Sequence, residues 1–400
     1  MGTQKQSVLS VNVGSSSIKF AIYRVENNKI DLRLVKGKFD NLIANQHTQL
    51  SWQCNRTTDV DELFIPENTD KFDYALEILT KRIQREFSDL LITIISHRIV
   101  HGGNKYSQSV ILNETVFKDI KSYVPLAPLH QPHNIDGISI FKKYFPSAVH
   151  VVCFDTAFHH TMSEIEKTYA IPLSLKQTGI IRYGFHGLSY QYLCQTLSDL
   201  TTAILGKSIL MHLGNGASIC ACINKTSIAT SMGFSTLDGL IMGTRCGSID
   251  PGVLTYLLHN GWSLEQLEDM LYNNSGLKGV SGISSNMKEL RESPTKEASF
   301  AIELFSHEII KHFGSLYALL NGLDVIVFSG GIGEHDAQLR NTILERLSFL
   351  NVVIDIEKNN YYRGEQPEKI SSEMSKVEVW VVPTDEEYVA ATEALNTIFY

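Results

Sequence analysis

The feature that most constrains this chain is a strand, turn and strand unit that occurs once in each half. Val11-Asn12-Val13-Gly14-Ser15-Ser16-Ser17-Ile18-Lys19-Phe20 places two apolar strands around a Gly/Ser turn and ends in a lysine. Such a turn brings backbone N–H groups up to an anion with no Cβ in the way. The Ser15 and Ser17 hydroxyls add donors, and Lys19 adds a compact positive charge. Ile209-Leu210-Met211-His212-Leu213-Gly214-Asn215-Gly216-Ala217-Ser218-Ile219 repeats strand, glycine turn and strand. One such hairpin alone is an ordinary β-turn. Two in one chain predict a duplicated architecture whose phosphate-holding hairpins face each other across a cleft.

The bulk properties leave room for that reading and exclude others. A chain of 400 residues, 43% hydrophobic and 20% charged, has the composition of a soluble globular protein of two or three domains. A net charge of −8 and a pI near 6.0 argue against a nucleic-acid partner and leave a small anion as the expected ligand. The polar N-terminus runs straight into the first strand, and no apolar run approaches membrane-spanning length, so a cytoplasmic protein with no membrane association is expected. Cys54, Cys153, Cys194, Cys220, Cys222 and Cys246 include no C-x-x-C pair, which predicts free thiols, largely buried. His97 and His101 are spaced i, i+4 and His159 and His160 are adjacent, but neither pair has the partners of a zinc site.

Patterning gives the organisation. Segments 7–23 and 30–39 read as strands, and the polar stretch 45–61 reads as a surface excursion. Apolar residues at Phe72, Ala75, Leu76, Leu79, Ile83 and Phe87 predict a helix over 72–90, and 91–95 reads as a short buried strand that delivers His97-Arg98-Ile99-Val100-His101-Gly102-Gly103. A helix over 135–145 and a strand over 148–154 then lead to Asp155, where the first half closes. The second half restarts at the repeated hairpin and passes through a Gly-rich stretch, 233–252. Helices follow near 253–258 and 264–271, then a long one over 297–320. Strand 324–328 runs into Ser329-Gly330-Gly331-Ile332-Gly333-Glu334, which puts backbone donors and a positive helix end at a strand terminus. Strand 377–382 ends in Pro383-Thr384-Asp385-Glu386-Glu387 before a last helix over 388–399, so carboxylates there either hold Mg²⁺ or complement the helix dipole. Three glycine-rich strand ends in a duplicated α/β chain predict a two-domain actin/hexokinase/Hsp70-like (ribonuclease H-like) fold with an interdomain active-site cleft. The expected domains are 1–155 with the C-terminal helix 387–400, and 156–386.

The motifs VNVGSSSIKF, HRIVHGG, LAPLH, FDTAFH, RYGFHG, HLGNGAS, TSMGF, GLIMGTRCGSIDPG, GGIGE and PTDEE follow one another from residue 11 to residue 387. In that order and spacing the chain resembles the acetokinase family over essentially its whole length. The resemblance implies reversible ATP-dependent phosphorylation of acetate to acetyl phosphate, with ADP as the other product. It also implies a cytoplasmic homodimer and Mg²⁺ as cofactor, with Mn²⁺ as a substitute. It implies Arg98 for the substrate carboxylate, Arg245 with His186 for the transferring phosphoryl, Asp155 as the catalytic aspartate and His130 as an active-site histidine. A carboxylate acceptor has a pKa of about 4 and is already ionised, so orienting an arginine or the Mg²⁺ shell suits Asp155 better than proton transfer. Asn12 and Glu386 match the Mg²⁺ positions, and Lys19 with Ser15 and Ser17 the phosphate hairpin. His212, Leu213, Gly214, Asn215 and Gly216 align with nucleotide-binding segments, as do Gly331, Ile332, Gly333 and Glu334. Val100, Leu129, Phe185 and Thr236 match the acyl pocket.

Departures from the family pattern concern specificity. Asn286-Met287-Lys288 stands where the family carries Asp-Met-Arg or Asp-Phe-Arg against adenosine, which predicts weaker purine discrimination. Thr236 stands where the acyl-pocket proline is usual, and this makes propionate an alternative substrate. His133, Leu188, Tyr190 and Ala229 are further departures, none at a reacting group. A nucleotide-gated interaction protein on the same fold is the alternative of another class, separable because its ATP consumption would not depend on acetate.

Overall fold

The first hairpin forms as β1 (Lys5–Val13) and β2 (Ile18–Glu26), antiparallel, with Asn12 opposite Lys19 and Val13 opposite Ile18. It belongs to the first of two compact units, Met1–Ala157 with Asp385–Tyr400; the second is Phe158–Thr384. The computed structural model describes residues 5–14, 17–42, 48–54, 57–66 and 69–400, so Ser15 lies outside the described residues.

In the first unit β1 and β2 join β3 (Lys29–Asp40), β4 (Thr48–Cys54), β5 (Thr57–Leu63), β6 (Leu90–Ile99), β7 (Val110–Ile111) and β8 (Val149–Phe154). The sheet order is β5-β4-β3-β2-β1-β6-β8-β7, with β1, β6 and β8 mutually parallel and the rest antiparallel. The expectation of a surface excursion over 45–61 is wrong for its described part. Residues 48–54 and 57–63 are two added strands, and Leu50 and Trp52 alternate into the core with Phe20 and Phe39. The polar residues mask this because they occupy the solvent face, and Arg82 covers the Trp52 ring at 4.4 Å. Three helices, α1 (Lys71–Glu86), α2 (Glu114–Ser122) and α3 (Gln131–Tyr144), lie on this unit. Leu9, Val11 and Val13 of β1 share one cluster with Leu76, Leu79 and Phe141 of α1 and α3. A Cβ on Gly137 would stand 2.6 Å from Val13 Cγ2, so α3 lies directly on β1. By strand alternation Asn12 and Arg98 point to the other face, where the C-terminal helix (Glu386–Phe399) packs on β1, β6 and β8. β6 runs on to Ile99, past the expected 95, so Arg98 is an in-strand residue.

The second unit carries β9 (Lys207–Leu213), β10 (Ala217–Ile223), β11 (Thr226–Thr230), β12 (Val325–Ser329), β13 (Glu368–Lys369) and β14 (Glu378–Val381), in the order β11-β10-β9-β12-β14-β13. β9 and β10 are the antiparallel hairpin read from sequence, and β12 is parallel to both β9 and β14. The helices are α4 (Glu164–Lys167), α5 (Leu173–Gln177), α6 (Gly187–Ser198), α7 (Pro251–His259), α8 (Leu264–Asn273), α9 (Gly276–Ser281), α10 (Met287–Glu292), α11 (Lys296–Leu320), α12 (Gly330–His335), α13 (Ala337–Arg346) and α14 (Ile356–Tyr361). Tyr190, Leu193, Cys194 and Leu197 of α6 pack on Leu210, Cys220, Cys222 and Val327, and burying side chains of this size contributes about 1.5–3 kcal/mol each. Both units are α/β with a mixed sheet, the duplicated actin/hexokinase-like fold.

All six cysteines are free, and Cys153, Cys194, Cys220 and Cys222 are buried.

Candidate active site

In the first unit the site is built around Arg98. Its Nε donates to Asp155 Oδ1 at 3.1 Å and its Nη2 to Asp155 Oδ2, while Nη1 donates to Asn12 Oδ1 at 3.2 Å. Glu386 Oε2 lies 3.4 Å from the same Nε. Burial works against the guanidinium's charge, but Asp155 and then Glu386 outweigh it and hold its pKa above the ordinary arginine range. The structure therefore gathers Asn12, Arg98, Asp155 and Glu386 into one cluster, with Asp155 as the group that fixes the arginine. Its bidentate edge is taken by Asp155, which leaves the Nη1 end as the part directed away from that carboxylate.

Asp385 is the cap, and Glu386 and Glu387 the first turn, of the C-terminal helix, which starts two residues before the expected 388, so these acids do lie at the positive end of its dipole. Asp385 accepts from Tyr388 N and pairs with Arg33 at 2.7 Å. The two glutamates then separate by direction. Glu386 turns to Arg98, and Glu387 is buried with Lys36 at 3.8 Å. Burial raises the Glu387 pKa, with Lys36 opposing it and Glu386 and Asp385 adding to it.

Asn134, which sequence reasoning passed over, ties two strand ends together. Its Nδ2 donates to Val13 O at 2.8 Å and its Oδ1 accepts from Val100 N at 3.0 Å. It lies in the LAPLHQPHN run, so the motif was the available signal. His130 caps α3, Leu129 beside it is 46% exposed and Val100 is buried. Lys19 is exposed, and Ser17 O accepts from Gly14 N at 2.9 Å to close the turn.

In the second unit the hairpin turn closes with Gly214 N to Gly216 O at 3.0 Å. Asn215 O accepts from Gly243 N at 3.0 Å, tying the turn to the loop that carries Arg245. Arg245 Nη1 donates to Thr236 O at 3.0 Å, so Thr236 holds the arginine through its backbone. His186 and His212 stack with centroids 4.3 Å apart. His186 Nδ1 meets Ser218 Oγ at 2.8 Å, and His212 Nδ1 meets Ser189 Oγ at 2.8 Å. Ser189 in turn accepts from Thr384 Oγ1 at 3.0 Å. A Cβ on Gly216 would lie 3.3 Å from His186 Nε2 and 3.6 Å from Arg245 Nη2, so the absent side chain leaves a cradle faced by both. Phe185 is buried beneath His186 in sequence, with its carbonyl taken by His159 at 2.9 Å.

Gly214, Asn215, Asn286, Met287, Lys288, Gly331 and Ile332 line one cavity of about 980 Å³ together with Arg291, Glu292 and Asp336. Leu213 and Gly333 are buried beneath it, where they pack. Gly330, at φ +76°, leaves no room for a side chain because a Cβ would meet Leu213 O at 2.7 Å. Glu334 is spent on the backbone, accepting from Gly330 N at 2.9 Å and Thr384 N at 3.3 Å. Asn286 caps α10 by accepting from Lys288 N at 3.0 Å, and the Lys288 side chain is 82% exposed at the rim. Arg291 and Asp336, paired at 3.1 Å, complete the rim and were not foreseen.

Comparison with known proteins gives the family. The family model described as the acetokinase family matches residues 7–392. A protein of Rhodopseudomonas palustris named acetate kinase is 41% identical over 388 residues, covering 96% of each chain. Among solved structures, a propionate kinase from Francisella tularensis superposes with a TM-score of 0.87 at 38% identity over 98% of this chain and 99% of that one. The acetate kinase of Porphyromonas gingivalis superposes with a TM-score of 0.86 at 34% identity, over 98% of this chain and all of that one. A family match of this extent, on a chain that keeps the family's charged and glycine-bearing strand ends in both units, has one reading: the chain belongs to the acetokinase family.

Proposed function

We propose that the chain transfers the γ-phosphoryl group of ATP to the carboxylate of acetate, reversibly, giving acetyl phosphate and ADP. The observation that carries the proposal is Arg98, a guanidinium fixed by Asp155 at a strand end beside oxygen donors, in a chain of this family. The acceptor is an anion and the phosphoryl donor is an anion, so the main barrier is electrostatic and fixed positive charge is the remedy. The Nη1 end of Arg98 binds the acyl carboxylate, and Val100, Leu129, Phe185 and Thr236 enclose its alkyl end. Arg245 and His186 stabilise charge on the transferring phosphoryl, with His130 as a further donor. Lys19 and the turns at Gly14 and Gly214 to Gly216 hold the phosphate chain, together with Ser15, Ser17 and His212. The base and ribose occupy the cavity lined by Asn286, Met287, Lys288, Gly331 and Ile332.

Asn12 and Glu386 offer oxygen donors only, and both converge on Arg98, a donor set that suits a hard cation retaining several waters. They are the residues that would hold Mg²⁺ (or Mn²⁺), which when bound neutralises the nucleotide's phosphate oxygens.

A homodimer is supported by α7, an apolar helix none of whose residues is buried: Val253, Tyr256 and Leu258 are 42%, 66% and 45% exposed. A cytoplasmic setting is supported by the free thiols. No described helix is long and apolar enough to cross a membrane.

Propionate is the second reading. It is favoured by the likeness to a propionate kinase and by Thr236, which stands where the acyl-pocket proline is usual in the family. Trapping the acyl phosphate as a hydroxamate across formate, acetate, propionate and butyrate tests both. ATP consumption indifferent to every carboxylate, with no hydroxamate, would sink the acyl kinase reading and favour a nucleotide-gated interaction protein.

A further inference from the structure

We propose that Tyr190, acting through Ser218, is a positioning residue that holds His186 in one tautomer, with Nδ1 accepting and Nε2 carrying the proton. The proposal rests on the reading of His186 as a phosphoryl-facing group, and adds what fixes its protonation. Four residues make the relay: Tyr190 on α6, Ser218 on β10, His186 at the cap of α6 and His212 on β9.

The Tyr190 hydroxyl and Ser218 Oγ are in short hydrogen-bond contact, and Ser218 Oγ is 2.8 Å from His186 Nδ1. Ser218 Oγ has one proton and two partners, the Tyr190 hydroxyl and His186 Nδ1, so giving that proton an acceptor leaves two directions. In the first, Tyr190 donates to Ser218 and Ser218 donates to His186 Nδ1. In the second, His186 donates from Nδ1 and Ser218 donates to Tyr190, which must then place its own proton elsewhere. Tyr190 is fully buried, with Phe158 and the ring of His159 against it. Burial raises its pKa, with Cys220 adding to it and the bond to Ser218 opposing it, so the proton stays on the phenol. A buried phenol proton needs an acceptor, and the hydroxyl it contacts is Ser218 Oγ, so Tyr190 donates to Ser218 and the first direction follows.

Two features require that His186 be held this way. Its backbone is left-handed at φ 59°, a strained setting for a residue with a Cβ, which fixes where the ring emerges. Its ring also stacks on His212 and shares the Gly216 cradle with Arg245, so a second cation there would be repelled. A serine proton aimed at Nδ1 places the ring proton on Nε2, the atom that faces the Gly216 cradle.

Histidine ¹⁵N NMR on the full chain without substrate reads the tautomer directly, with the His186 signals assigned by their loss in His186→Asn. The expected spectrum shows unprotonated Nδ1 and protonated Nε2. Tyr190→Phe frees Ser218 to accept, so both tautomers appear and the acid limb of kcat moves to higher pH. The expected fall in kcat is roughly five- to tenfold, the kinetic equivalent of one neutral hydrogen bond, with both KM values unchanged. Ser218→Ala should give the same tautomer mixture, and the double variant should be no worse than the single ones, because one relay is broken once. If Tyr190→Phe does not fold, Ser218→Ala carries the test. A wild-type spectrum with protonated Nδ1, or a spectrum and pH profile unmoved in these variants, overturns the proposal. Absence of acyl kinase activity in the wild type would instead overturn the functional reading and leave the tautomer result standing.

Discussion

The two hairpins are the same scaffold turned to different chemistry. In the first unit the strand ends beside the β1–β2 turn carry a cluster of full charges, Arg98 with Asp155 and Glu386. In the second, two stacked histidines beside the β9–β10 turn are each held at Nδ1 by a serine hydroxyl. The difference teaches that duplication conserves the hairpin of strand, glycine turn and strand and leaves neighbouring strand ends free to specialise. The first unit positions by ion pairing, which is costly to break; the second positions by neutral hydroxyl relays, which are cheap to break and set proton location.

The largest expected effect breaks the charged side of that contrast. Asp155→Ala removes the carboxylate that compensates Arg98, and losing one partner of a largely buried pair costs about 3 kcal/mol. Denaturant unfolding should show that loss. Arg98→Ala leaves Asp155 buried without its partner and should destabilise as well, and it should also raise the acetate KM. An unchanged acetate KM in Arg98→Ala would mean that the pair is a structural staple. Next in size, Arg245→Ala should lower kcat by about a hundredfold, near 3 kcal/mol of transition-state stabilisation, with little change in acetate KM. Near-wild-type kcat would remove Arg245 from the reaction.

Acidification probes a third site, the buried pair His97 Nε2 and His150 Nδ1 at 2.9 Å in the first unit. Burial, and then its neighbour, holds the His97 pKa well below the ordinary histidine value; burial, with Lys142 adding to it, lowers His150, against a bond to Phe145 O. The unfolded chain therefore takes up protons as pH falls through about 6.5 while the folded chain does not, so stability declines on the acid side by about 1.4 kcal/mol per pH unit for each proton. His97→Leu should flatten that slope in denaturant titrations from pH 7 to 5. An unchanged slope would show that other groups control acid sensitivity.

Smaller effects sharpen the comparison at the metal and the base. Glu386→Ala should shift the Mg²⁺ dependence of turnover by about tenfold, as loss of one oxygen ligand does, and Glu387→Ala should leave it in place because Glu387 faces Lys36. The reverse pattern would move the ligand by one residue. Lys288→Arg should raise the preference for ATP over GTP by a few-fold without altering acetate KM, since a guanidinium offers a planar surface to the base and an exposed ammonium does not. A strong preference in the wild type that Lys288→Arg leaves unmoved would assign base recognition to Gly331 and Ile332.

The sequence by itself determined the elements whose physics is local. Glycine turns between apolar runs, the helical period of 72–87 and a Gly-Gly between strand and helix are written in adjacent residues, and each appears within a few positions of where periodicity puts it. It also named Arg98, Asp155, Asn12 and Glu386 through motifs scattered along the chain. Only the tertiary structure decided that these four meet, because strand alternation on β1 and β6 and the seat of the C-terminal helix bring them together. Strands β4 and β5 were illegible for a related reason: their polar residues are explained only once Trp52 has a core to enter and Arg82 lies over it. Glu386 and Glu387 are chemically identical in sequence, and helix phase alone points one to Arg98 and the other to Lys36. The same holds for Ser218 and Tyr190, ordinary strand and helix residues until β10 and α6 pack and leave a phenol proton one place to go.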